Sequence, residues 1–121
     1  MTEQQEIINI TTLEEAQNLM GERFGTMVQY FLEDTQMYFQ EIERGVKENN
    51  AELAVAPSHT IKSSAKQLGA DRVSAIAELI EELCRNMIES KNSDIPQLQQ
   101  LTDELKKEID AATPELNKFC K

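Results

Sequence analysis

Between Phe24 and Val46 apolar side chains return every three or four positions, at Phe24, Met27, Val28, Phe31, Leu32, Phe39, Ile42 and Val46. That is the spacing of one face of a helix, and a stripe of this kind has to be buried against another element. The pattern recurs downstream. Val73, Ile76, Ala77, Ile80, Leu83, Cys84 and Met87 make a second stripe, and Leu98, Leu101, Leu105, Ile109 and Ala112 a third. Aromatic residues are only 5% of the chain and Trp is absent, so the β-formers that would compete with helix are scarce. The 121 residues suit one domain with one core.

The breaks between stripes set the expected boundaries. Thr12 with Glu15 three residues later reads as a capping box, and Gly21 stops the short helix it opens. The long second helix runs from about residue 22 to 48. Asn50 is placed to cap a third, from Ala51 to Leu68, which Gly69 ends. Pro57 inside it predicts a kink or a regular part that begins only near the proline. Asp71 is expected to cap a fourth helix reaching Ser90, with Glu78, Glu81, Glu82, Arg85 and Glu89 turned mainly to water. Asp94, with Pro96 in the first turn, opens a fifth. Residues 1–9 carry no pattern and are expected to be loose, and 113–121 either extend the last helix or form a tail. The fold class is therefore all-α, an antiparallel four-helix bundle with a short N-terminal capping helix, as a single domain over 1–121.

Charge narrows the function. A net charge of −10 repels nucleic acid and anionic membrane surfaces. No export signal or bilayer-length apolar run is visible, so a soluble cytoplasmic protein is expected. Cys84 and Cys120 have no metal-ligand spacing and read as free thiols, the first a buried apolar residue and the second exposed. No metal or cofactor site is expected in the chain, and neither type of glycine-rich phosphate loop occurs, so ATP binding is not expected.

The chain has a single histidine, His59, in the stretch SHTIKSSAKQLGAD. A lone histidine is usually a satisfied core residue or a passive surface one. Helical phase removes the first option: Leu53, Pro57, Thr60, Ile61, Ser64 and Leu68 share one side of the third helix, and His59 points about 170° from their mean direction. Two observations weigh against the second. From Ala54 to Ala70 there is no acidic residue, so Lys62 and Lys66 stand on a local cationic strip. Small side chains, Ala56, Ser58, Ser63 and Ala65, surround the imidazole and suit the close approach of a partner. An accessible imidazole beside two ammonium groups is equipped to accept and hold a phosphoryl group. Hydrolysis by Ser63 with His59 as base would lack an oxyanion pocket.

The run HTIKSSAKQLGA resembles the signature H-x-L-K-G-S-S-x-x-x-G-A of histidine-containing phosphotransfer (HPt) domains, matching at His59, Lys62, Ser64, Gly69 and Ala70, with Ile61 for the usual Leu. It departs at Ser63, where the pattern has glycine, and at Ala65, where it has a second serine. The resemblance implies a phosphoacceptor at His59, phosphate stabilisation by Lys62, possible further help from Lys66, and close helix packing at Gly69. The partners it implies are response-regulator receiver domains and a hybrid histidine kinase. A divalent cation is expected in the receiver, and this chain is expected to be a monomer. Val55, Ala56, Ser63 and Gly69 are the candidate partner-binding positions. The alternatives are a non-catalytic interaction bundle and the phosphoacceptor domain of a chemotaxis-type kinase.

Overall fold

The computed structural model describes residues 6–120, all of whose long regular elements are helices. Helix α1 spans Ile10–Met20 and is followed by a single 3-10 turn, Gly21–Arg23; α2 is Phe24–Lys47, α3 Glu52–Gln67, α4 Asp71–Ser90 and α5 Ile95–Asn117. Short connections make consecutive helices antiparallel neighbours, α2 closes the ring against α5, and α1 lies across α2 and α3. The stripes face inward as their spacing requires: Val28, Ile42, Ile61, Leu68, Ile80, Leu98, Leu105 and Leu116 are all fully buried. Truncating any one of these large side chains to Ala would cost about 2–5 kcal/mol. The antiparallel four-helix bundle with a short N-terminal helix, expected from the pattern, is thus present.

Several boundaries differ from the sequence reading, each for a local reason. The cap of α1 is Asn9, whose Oδ1 accepts from the Thr12 amide at 3.2 Å, so the Thr12–Glu15 capping box does not form. Tertiary contacts select that cap: the Asn9 amide donates to the Gly69 carbonyl at 2.7 Å, and its Nδ2 donates to Asp71 Oδ2 at 3.1 Å. Asp71, expected as the cap of α4, is instead its first residue, and its carboxylate still complements the helix dipole there. Ile8 is buried, so the described part of the N-terminal segment is docked; residues 1–5 of the stretch expected to be loose lie outside the described residues.

Helix α3 starts at Glu52 and continues through Pro57 as helix, with no delayed start. The cap position of α3 is Ala51, which makes no side-chain cap bond; Asn50, expected there, stands one residue earlier, and its Oδ1 accepts from the Glu52 amide at 3.1 Å. At the other end Ala70 N donates to Ala65 O at 2.9 Å and Gly69 N to Lys66 O at 3.2 Å, the paired bonds of a Schellman stop with Gly69 at φ +80°. Helix α5 runs to Asn117, through Pro114, so much of the possible tail is helix. Beyond it Phe119 meets Phe24 edge to face, ring centroids 5.9 Å apart. Cys120 is partly buried rather than exposed, and Cys84 is a buried free thiol that burial pushes up to about 11.

Candidate functional site

His59 stands in the middle of α3 with its side chain 54% exposed, on the outer face that helical phase assigned to it. Its Nδ1 lies 3.0 Å from Oε2 of Glu81, which comes from α4 and is only 6% exposed. Glu81 also gathers Lys62, whose Nζ is 3.0 Å from Oε1, and Arg85, whose Nε and Nη2 donate to Oε2 at 3.0 and 2.8 Å. Three ionisable side chains from two helices therefore gather around one buried carboxylate. The α3–α4 seam that holds it is also tied by Ser74, whose hydroxyl on α4 donates to the Lys62 carbonyl at 2.9 Å.

This overturns one expectation. Glu81 was grouped with the acids that α4 turns to water, and it is buried. The cationic strip is interrupted not from its own helix but from the next one, and Lys62 is ion-paired and only 28% exposed. Burial by itself would push the Glu81 carboxyl up; the ammonium of Lys62 and the hydrogen bonds with Arg85 and His59 outweigh it and hold the group down at about 2. Glu81 is therefore a carboxylate at neutral pH, and an ionised carboxylate can only accept. The proton in the His59 contact must sit on Nδ1. In the neutral ring Nε2 then carries the free lone pair, and His59 makes no second hydrogen bond among the described residues.

A folded-state value below the ordinary one means stability that is fully present above about pH 4.5 and is lost as pH falls toward 2. The shift corresponds to about 3 kcal/mol. In Glu81→Gln this term should vanish, so the difference in unfolding free energy between wild type and variant, measured by urea titration, should shrink by about that amount between pH 6 and pH 2. A difference that stays constant with pH would show that the cluster does not hold the carboxylate ionised.

The other candidate positions separate into two groups. Ala56, Ser63 and Lys66 are exposed and Val55 is half-buried, all on the strip around His59. Lys66 makes no ion pair with a described residue. Gly69 is buried instead, at the turn after α3, where its carbonyl binds Asn9. Its place is in the architecture of the α3–α4 turn rather than on the face that carries His59. Glu81 and Arg85 are the members that the sequence reading missed. Beside Arg85, an open groove lined by Glu52, Val55, Ile88 and Glu89 continues the strip between α3 and α4. No three His, Cys, Asp or Glu side chains gather as a metal site among the described residues.

Comparison with known proteins bears on both fold and family. Residues 26–113 match the family model described as "Hpt domain". The crystal structure of histidine-containing phosphotransfer protein B (HptB) from Pseudomonas aeruginosa PAO1 superposes with a TM-score of 0.84 over 95% of each chain, at 13% sequence identity. At that identity the likeness speaks for the fold. No curated protein matches the sequence. None of the described helices is long and apolar enough to cross a membrane.

Proposed function

Since the chain belongs to the Hpt domain family, the histidine phosphotransfer intermediates of phosphorelays, we propose that His59 is its phosphoacceptor and that Nε2 is the atom phosphorylated. The observation that carries this reading is the 3.0 Å contact between Nδ1 and the buried Glu81 carboxylate. It assigns the proton to one ring nitrogen and leaves the other as nucleophile, on a half-exposed side chain.

The step is then simple to write. The Nε2 lone pair attacks the phosphorus of a receiver's aspartyl phosphate in line; the N–P bond forms as the P–O bond to the aspartyl carboxylate breaks, and the carboxylate leaves. No proton needs to move. Positive charge develops on the ring as Nε2 commits its lone pair, and the Glu81 carboxylate at Nδ1 meets that charge. Lys62, one turn from His59, would turn from Oε1 toward phosphoryl oxygens, and Lys66, without an ion pair among the described residues, adds a second cation on the same strip. Reversal delivers the group to another receiver. Val55, Ala56 and Ser63 form the surface that such a receiver covers, with Ser63 small enough for close approach. In this reading the protein is a monomeric cytoplasmic carrier with no ATP site, served by receiver domains and a hybrid histidine kinase.

The test is incubation with a panel of phosphorylated receivers, followed by phosphate localisation. Acid-labile, alkali-stable label on His59, at Nε2 by nitrogen NMR, is the expected result. Label on no residue with any receiver would instead favour an interaction bundle without chemistry.

A further inference from the structure

Three donors converge on one oxygen. Glu81 Oε2 receives Nδ1 of His59 at 3.0 Å together with Nε and Nη2 of Arg85 at 3.0 and 2.8 Å. A carboxylate oxygen has two lone-pair directions, so the imidazole and the guanidinium compete for the same electron density. The sister oxygen, Oε1, is buried and has Lys62 Nζ at 3.0 Å as an ion-pair partner, without a properly aligned hydrogen bond. The load on the two oxygens is uneven, and the excess lies on the one that holds His59.

We propose that Arg85 is a positioning residue for phosphoryl transfer: by sharing Oε2 it limits the pull of Glu81 on the imidazole and leaves the Nε2 lone pair available for attack. A buried carboxylate paired with an imidazole alone favours the doubly protonated ring, which has no lone pair to offer. Lys62 offsets part of the carboxylate charge but does so from the other oxygen. Arg85 acts on the shared atom, and its side chain, 59% exposed, reaches Glu81 from one turn further along α4.

The remaining charged groups leave that role to Arg85. On α3 they are Glu52 and Lys66, both exposed, and on α4 Glu78, Glu82 and Glu89, exposed as well, with Asp71 and Arg72 two turns or more away at its start. Helix α2 packs on α3 where Gly45 faces Leu53 and Ala54, and its carboxylates, Glu33, Asp34, Glu41 and Glu43, are exposed. Solvent screens all of these more strongly than the cluster itself.

The inference rests on His59 as acceptor, so its test is chosen to work without phosphate. With one histidine in the chain, the imidazole 15N signals need no assignment. In Arg85→Gln the change to the doubly protonated ring should begin about one pH unit higher than in wild type, with Arg85→Lys between them. The acid limb of the transfer rate against pH should move by the same amount; because Glu81 is buried, Arg85→Gln also costs stability, and Arg85→Lys, which keeps a cation on the carboxylate, separates that loss from the shift in the imidazole. An imidazole titration identical in wild type and Arg85→Gln would overturn the proposal. A shifted titration in a chain that takes no phosphate would sink the acceptor reading and leave the coupling of Arg85 to His59 standing.

Discussion

His59→Gln is expected to abolish phosphoryl uptake from every receiver that labels the wild-type chain, to the background of the assay. Glutamine keeps a donor that can reach Glu81, and residue 59 is half-exposed on the outer face of α3, so the bundle should lose no more than about 1 kcal/mol. What it removes is the Nε2 lone pair, and an amide nitrogen cannot replace it because its electrons are delocalised into the carbonyl. The variant therefore separates chemistry from folding. The measurement is transfer of labelled phosphate from a charged receiver, with a thermal melt on the same preparation. Retention of acid-labile label on a folded His59→Gln chain would place the acceptor elsewhere and end the proposal.

The largest structural effect is expected at a residue that takes no part in the chemistry. Gly69→Ala should destabilise the protein by about 2–4 kcal/mol, lowering the melting temperature by roughly 10 °C. Two costs combine. At φ +80° an alanine is strained, and its Cβ would lie 2.5 Å from the Asn9 carbonyl oxygen, a backbone atom that cannot rotate aside. Relief would require moving the segment that carries Asn9, and with it the 2.7 Å bond from Asn9 N to Gly69 O and the cap of α1. Gly21→Ala is the internal control, because Gly21 also has positive φ, +57°, but nothing lies within 4 Å of an added Cβ. It should cost about 1 kcal/mol, the conformational share alone. Equal losses at the two sites would mean that the contact with Asn9 contributes nothing. Hydrogen exchange at the Asn9 amide should report the loosening directly.

Much of this molecule could be read before its coordinates. Helix count, order and inward faces follow from apolar spacing, because each stripe is long and separated by polar breaks. The outward direction of His59 follows from phase on a single helix, which the structure keeps. Glu81 was hidden for a different reason. On α4 it falls at the margin of the apolar stripe, where an acid ordinarily reaches water, and only contact with α3 brings His59 and Lys62 over it to join Arg85 of its own helix. One signal was available: in an antiparallel hairpin, side chains equally far from the turn face one another, and His59 and Glu81 stand eleven positions on either side of Ala70. The caps of α1 and α4 were misread because Asn9 is chosen by contacts with Gly69 and Asp71, residues about sixty positions away.

That equal spacing makes the α3–α4 turn part of the reacting site, although eleven residues of helix put it about 16 Å away. Adding or deleting one residue there would slide the facing helices by about 1.5 Å and rotate one of them by about 100°. Glu81 would leave Nδ1, and its neighbour Ile80 or Glu82 would come round toward His59, an apolar side chain or a solvated acid in place of the buried carboxylate. The Asn9 amide on the Gly69 carbonyl thus works as a ruler stop: it holds the zero point from which both helices measure out to the imidazole and its partner.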